Sequence, residues 1–140
     1  MTKIYCWDTT LFIALMNEEP GTPFDVIDVI SDELDKGLAV LLVPTVVFAE
    51  IWEAKHSSEA LKIIDAYLKN DNVIVEELSV DIARKAADIR QRIKASTGKK
   101  YKLADAIVIA TALCMKADVV PGQSHHFLGC FREVMVSGDD

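Results

Sequence analysis

Short apolar segments with strand-like composition alternate with helical patterns along the whole 140-residue chain. This alternation constrains the fold more than any other feature, because strands that are joined through a helical crossover run parallel. The predicted strands are residues 3–7, 38–43, 72–78 and 118–120, with residues 131–136 as a candidate fifth. We therefore predict an α/β fold in which helices cover both faces of a mainly parallel sheet of four to five strands.

The helical patterns between these strands have recognisable beginnings and ends. Thr9 or Thr10 can cap the first helix, Gly37 ends the second, and Ser79 caps the helix after the third strand. The predicted helices cover residues 11–16, 24–34, 45 to about 69 with a break near 56–58, 80 to about 95, and 103–115. No linker or internal repeat interrupts this order, so we predict a single domain over residues 1–140.

Composition restricts the class of protein. Apolar residues make up 51% of the chain, which is enough for a core that folds without disulfide staples. Three cysteines are too few and too scattered for a disulfide framework, and charges interrupt every apolar stretch well short of a membrane span. We therefore expect a cytoplasmic protein that does not enter a membrane.

The charge of the chain is distributed unevenly. The whole chain carries a net charge of −7, whereas residues 84–102, called here the basic segment, carry +7. Charge alone fits a solvated helix face. A basic segment on an acidic body is also compatible with a phosphate backbone that is held beside a carboxylate site.

Three acidic residues conflict with the amphipathic patterns or end a strand. Glu50 shares a predicted helix face with Val47, Asp105 shares one with Ile109, and Asp8 ends the first predicted strand. Each has a structural explanation, since Asp8 and Asp105 can cap helices and Glu50 can form a salt bridge. Their expected position at one sheet edge favours a Mg²⁺ or Mn²⁺ site instead, because clustered carboxylates need a cation and these ions prefer oxygen ligands.

Three sequence blocks together resemble the PIN domain family, and within it the VapC-type toxin ribonucleases. The blocks are IYCWDTTLF at residues 4–12, VPTVVFAEI at 43–51 and LADAIVIATA at 103–112. The resemblance implies a three-layer α/β/α PIN-like domain whose acidic cluster binds Mg²⁺ or Mn²⁺ for phosphodiester cleavage. It makes Asp8, Glu50 and Asp105 the catalytic, metal-binding acids, with Thr9 or Thr10 orienting ligands or water.

The chain departs from the family pattern after its last predicted strand, where the family usually has a fourth acid. In the preferred alignment Gln123 takes that place, and in the alternative alignment Ser124 does. An amide or hydroxyl oxygen can still bind a metal or hold its water, but it brings no negative charge. The departure places the activity in question more than the fold.

The resemblance implies a metal-dependent endoribonuclease, the toxin of a toxin–antitoxin pair. RNA and an antitoxin are its implied partners, a homodimer is its implied assembly, and Arg90, Lys99, Lys100 and Lys102 are candidates for holding the RNA backbone. The alternative is a degenerate PIN domain that binds RNA or a protein without cutting. A receiver-like phosphate-accepting domain is disfavoured, because the third predicted strand ends without an aspartate.

Two further signals carry little weight. Glu53 is predicted to be solvated and to lie on a different helix face from Glu50. His125, His126 and Cys130 could suggest zinc, but adjacent histidine side chains diverge and no second ligand pair is present. A histidine at this place could instead contact phosphate.

Overall fold

Parallel strands form the centre of this computed structural model, which describes residues 2–122 and 124–136. The strands in this part of the chain are β1 (Lys3–Trp7), β2 (Ala39–Pro44), β3 (Val73–Glu76) and β4 (Asp118–Val120). They form one four-stranded sheet in the order β3-β2-β1-β4, and every pairing is parallel. The predicted α/β class and the predicted number of strands are confirmed.

Helices occupy the segments between the strands and the end of the described chain. They are α1 (Thr9–Met16), α2 (Phe24–Asp35), α3 (Thr45–Glu53), α4 (Ser58–Leu68), α5 (Val80–Thr97), α6 (Leu103–Met115) and α7 (His125–Val136). Ser79 caps α5, since its hydroxyl accepts a hydrogen bond from the Ile82 amide at 3.1 Å. Gly98 ends the same helix in the left-handed conformation, with φ at 74°.

The order of the strands gives the sheet two helical layers. The β1–β2 and β2–β3 connections both run toward the β3 edge of the sheet. The β3–β4 connection runs in the opposite direction, to the other edge. Right-handed crossovers therefore place α1 to α4 on one face and α5 and α6 on the other. Helix α6 packs on the sheet with residues 105–112 all buried, and α5 packs on α6. This is the predicted three-layer arrangement.

Aromatic side chains build the core between β1 and the first helical layer. Trp7 and Phe12 are buried, and their ring centroids lie 4.9 Å apart. Tyr67 of α4 packs edge-on to Trp7 at 5.4 Å. Its hydroxyl lies 2.8 Å from Ser31 of α2, which ties α2 to α4. Because Trp7 comes directly before Asp8, this packing fixes the end of β1, where the first candidate site residue stands.

Two local predictions are wrong. Residues 131–136 are not a strand, because they belong to α7, where Phe127, Cys130 and Val134 recur at helical spacing and are all buried. Thr9 and Thr10 do not cap α1, because the helix already begins at Thr9 and Asp8 occupies the cap position. The predicted break in the helix after β2 is confirmed, since α3 ends at Glu53 and α4 begins at Ser58.

Within the described ranges, none of the helices combines the length and the apolar character that crossing a membrane would require.

Candidate functional site

Three acids from separate parts of the sequence line one open cavity of about 230 Å³. Asp8 follows β1, Glu50 belongs to α3 after β2, and Asp105 belongs to the first turn of α6. The cavity therefore lies beyond the carboxyl ends of neighbouring parallel strands, where open α/β sheets bind their ligands. Its other lining residues are Thr9, Thr10, Ile13, Glu53, Ala54, Lys102 and Ser124.

Asp8 is the most deeply buried of the three acids, with 2% of its surface exposed. Its Oδ2 accepts hydrogen bonds from the Thr10 hydroxyl and from the Gly122 amide, the latter at 3.4 Å. Burial, together with the negative charge of Asp105, raises the pKa of Asp8 from an ordinary 3.8 to about 6. The cavity thus holds a carboxylate that the surrounding protein does not neutralise.

Gly122 allows the segment after β4 to approach the start of α1 closely. A Cβ atom at this position would overlap the Thr10 hydroxyl and lie 2.6 Å from the backbone nitrogen of Leu11. Only glycine fits there without moving the backbone of α1. The close approach brings the Gly122 amide to Asp8, so the end of β4 helps to fix the first acid.

Glu50 is half-buried and is held by a neighbouring hydroxyl. Its Oε1 accepts a hydrogen bond from Thr9 at 2.7 Å, and Thr9 itself is buried. Glu53, three residues later on α3, is exposed but lines the same cavity. The prediction that Glu53 is solvated is confirmed, whereas the prediction of a different face is wrong, because residues three apart on a helix are neighbours.

Asp105 is 8% exposed and contacts a histidine that the sequence did not connect with it. The Nδ1 atom of His126 lies 3.3 Å from Asp105 Oδ2. Burial raises the pKa of Asp105, while the hydrogen bond and charge of His126 and the charge of Lys102 act in the opposite direction. Two basic side chains therefore act on this acid.

The chemistry of these donors fits Mg²⁺ or Mn²⁺. Within residues 2–122 and 124–136, no three His, Cys, Asp or Glu side chains are grouped closely enough to form a ready-made metal site. Each acid is instead held apart by its own partner, which is Thr10 for Asp8, Thr9 for Glu50 and His126 for Asp105. Mg²⁺ is usually bound by one or two carboxylates together with waters and substrate phosphates, so it does not need a closed protein cage.

The predicted RNA-binding residues occupy three different places. Lys102 lines the acidic cavity. Arg90 and Lys100 line a second cavity of about 150 Å³ together with Gln91, Lys94 and Tyr101. Lys99 forms an ion pair with Glu133 of α7 at 3.5 Å. The four candidates therefore do not form one continuous row.

The structure describes only one of the two candidates for the fourth position, Ser124. Gln123 lies outside the described residues. Ser124 lines the acidic cavity, and its hydroxyl accepts a hydrogen bond from the Phe127 amide at 3.3 Å. Ser124 thus stands at the start of α7 in the manner of a helix cap.

Comparisons with known proteins agree with this architecture. The family model of the PIN domain matches residues 5–122, which include all three acids. A search of curated proteins gives no match.

Three solved structures share the fold at low sequence identity. The DNA-bound VapBC from Salmonella typhimurium matches with a TM-score of 0.67 and 17% identity, over 91% of this chain and 92% of that one. VapBC-1 from nontypeable Haemophilus influenzae gives 0.65 and 19%, over 95% and 93%. VapBC2 from Rickettsia felis, bound to a DNA fragment from its promoter, gives 0.63 and 14%, over 83% and 85%.

Proposed function

This chain belongs to the PIN domain family, and from that premise we propose that it is a metal-dependent endoribonuclease, the toxin of a toxin–antitoxin pair. One observation carries the proposal: Asp8, Glu50 and Asp105 line a single open cavity beyond the carboxyl ends of β1 and β2. Two of these carboxylates, those of Asp8 and Asp105, are buried. His126 and Lys102 are basic neighbours of Asp105, whereas Asp8 is held by an uncharged hydroxyl and an uncharged amide. A buried carboxylate without a counter-charge is costly, so a bound cation would account for the retention of Asp8.

The three acids are the residues that we assign to Mg²⁺ or Mn²⁺. A divalent cation held there would neutralise charge on the phosphodiester and favour ionisation of the attacking water. Hydroxyl groups hold one oxygen of Asp8 and one of Glu50, and His126 holds one of Asp105. Asp8, Glu50 and Asp105 would hold the cation, and we assign Thr9 and Thr10 to orienting these ligands rather than to binding the ion.

RNA is the proposed substrate, and the basic segment is its proposed binding surface. Lys102 stands inside the acidic cavity, where its charge can meet the phosphate that is to be cut. Arg90 and Lys100 line the second, basic cavity, which suits a phosphate further along the strand. The pairing with Glu133 makes Lys99 the weakest of the four candidates.

An antitoxin is the proposed protein partner. Several of the similar structures are complexes that carry the VapBC name, and this supports a comparable partner for the present chain. Helix α2 also exposes large apolar side chains, namely Phe24, Val26 and Val29, which a partner could cover. We further propose a homodimer as the assembly and the cytoplasm as the location.

A PIN domain that binds RNA without cutting is the second candidate. It is favoured by the spacing of the acids, which form no ready-made metal site within the described ranges, and by an uncharged residue, Gln123 or Ser124, where the family usually has a fourth acid. The two candidates predict different results in a cleavage assay. The first predicts that RNA is cut when a divalent cation is present, whereas the second predicts that RNA is bound and not cut.

The proposal is tested by comparing two glutamates on the same helix. Glu50→Gln should lower Mn²⁺ affinity and RNA cleavage by about 100-fold, because loss of a metal ligand costs at least as much as loss of a residue that supports one. Glu53→Gln removes the same charge from an exposed position in the same cavity, and we expect losses of less than about fivefold. Mn²⁺ binding by calorimetry and cleavage of a mixed RNA pool are the measurements. Equal losses in both variants would contradict the assignment of Glu50.

The basic segment is tested through the salt dependence of RNA binding. The triple variant Lys99→Ala, Lys100→Ala, Lys102→Ala should reduce the slope of log affinity against log salt by roughly 0.7 for each phosphate that these lysines neutralise in the wild type. RNA affinity is measured in EDTA, so that cleavage does not occur. The matched control replaces Lys36, Lys62 and Lys69 of the α2–α4 region with alanine, which changes the net charge equally. Identical slopes in the two triple variants would exclude the basic segment as the surface that binds RNA phosphates.

A further inference from the structure

His126 links the last helix to the acidic cavity. It lies in the first turn of α7, and its Nδ1 atom is 3.3 Å from Oδ2 of Asp105 on α6. Its side chain is 42% exposed, so it is not a core residue placed there by packing alone. The contact joins two helices through residues that are 21 positions apart in sequence.

Tyr101 fixes the position of the His126 ring from the other side. The two rings pack edge to face, with centroids 5.4 Å apart and planes at 84°. Tyr101 is held in turn by α5, because its backbone carbonyl accepts a hydrogen bond from Arg90 Nε at 2.9 Å. The imidazole is therefore set between a residue of the α5–α6 loop and the carboxylate of Asp105.

Gly129 provides the space that this arrangement needs. A Cβ atom at position 129 would lie 3.0 Å from the Tyr101 hydroxyl and 3.2 Å from its ring. Glycine in a helix interior is destabilising, so its presence one turn after His126 is explained by the ring packed against it. The ion pair between Lys99 and Glu133 adds a contact between the same loop and the next turn of α7.

We propose that His126 is a positioning residue for Asp105, an inference that rests on the proposed cation-dependent function. The terminal torsion of an aspartate is broad, so an unsupported carboxylate samples many orientations. A hydrogen bond from Nδ1 to Oδ2 selects one of these orientations for a carboxylate that lines the acidic cavity. Carboxylates that bind metals are commonly oriented by such a second partner.

The test compares substitutions that keep or move the hydrogen-bonding atom. Asparagine places its amide close to the position of Nδ1, whereas glutamine places it close to that of Nε2. We expect His126→Asn to bind Mn²⁺ within about threefold of the wild type, and His126→Ala and His126→Gln to bind about tenfold more weakly. His125→Ala, which changes the exposed neighbour, is the matched control and should stay within about twofold of the wild type. Thermal unfolding in EDTA shows which variants are folded. If His126→Ala does not fold, the comparison of His126→Asn with His126→Gln tests the proposal.

Kinetics separate this role from direct contact with RNA. A positioning role predicts that kcat falls together with Mn²⁺ affinity in His126→Ala while the KM for RNA stays within about twofold of the wild type. A raised KM with unchanged Mn²⁺ affinity would overturn the proposal and assign His126 to the substrate. If all His126 variants bound Mn²⁺ as tightly as the wild type, the positioning role would also be overturned. The proposed function would not be affected by that result. A wild-type protein that binds no Mn²⁺ would overturn both.

Discussion

Asp8→Asn should raise the thermal stability of the metal-free protein at neutral pH while it abolishes cation binding and RNA cleavage. The pKa of Asp8 is raised from 3.8 to about 6 by burial and by the charge of Asp105. Each unit of such a shift corresponds to about 1.4 kcal/mol, so ionised Asp8 lowers the free energy of unfolding by about 3 kcal/mol at pH 7. Asparagine has the same shape and carries no charge at any pH, so most of this loss should be recovered.

The pH dependence has a defined sign. Between about pH 4 and pH 6 the folded protein retains a proton on Asp8 that the unfolded chain has released, so stability falls as the pH rises through this window. The wild type and Asp8→Asn should therefore unfold at similar temperatures near about pH 4 and differ by several degrees above about pH 7. Asp65→Asn, at an exposed position on α4, is the control.

Adding Mn²⁺ should make the unfolding temperature of the wild type higher than that of Asp8→Asn, which reverses their order in EDTA. A cation that binds only the folded state stabilises it by mass action, and Asp8→Asn lacks a proposed ligand. We expect the unfolding temperature of the wild type to rise with Mn²⁺ concentration and that of the variant to stay constant. Parallel pH profiles of stability in EDTA would contradict the raised pKa of Asp8. An equal response of the two proteins to Mn²⁺ would contradict the assignment of Asp8 as a ligand of the cation.

The parts of the fold that the sequence predicts are those with a strong local pattern. The strand that ends before Asp8 is β-branched and aromatic, Pro44 marks the change from β2 to α3, and Ser79 caps α5 as predicted. The acids could be found because they interrupt apolar patterns. Asp105 begins a run of eight buried residues on α6, which is an unusual position for a charge.

The parts that the sequence misses depend on tertiary contacts or on a wrongly assigned period. Residues 131–136 contain the strand-favouring side chains Phe131, Val134 and Val136, and only the longer spacing from Phe127 to Val134 reveals a helix. That error hides the contact between His126 and Asp105, because the contact depends on α7. The room that Gly129 leaves for Tyr101 has no local signature.

Asp105→Asn is the second variant for which we expect a large effect. Asp105 is the one acidic residue of α6 (LADAIVIATALCM), so no other carboxylate of that helix can replace it. Losing its charge should lower Mn²⁺ affinity and RNA cleavage by at least about 100-fold. The stability gain in EDTA should be smaller than for Asp8→Asn, because His126 and Lys102 offset part of the cost of burying Asp105.

The most direct test of the central claim is a calorimetric titration of the wild type and Asp105→Asn with Mn²⁺, run beside cleavage of a mixed RNA pool by both proteins. The acids around the cavity are proposed to form one cation-dependent nuclease site. We therefore expect binding and cleavage by the wild type, with both lost in the variant. Mn²⁺ binding without cleavage would favour the non-cutting candidate. Cleavage that persists in Asp105→Asn, or that needs no divalent cation, would contradict the claim.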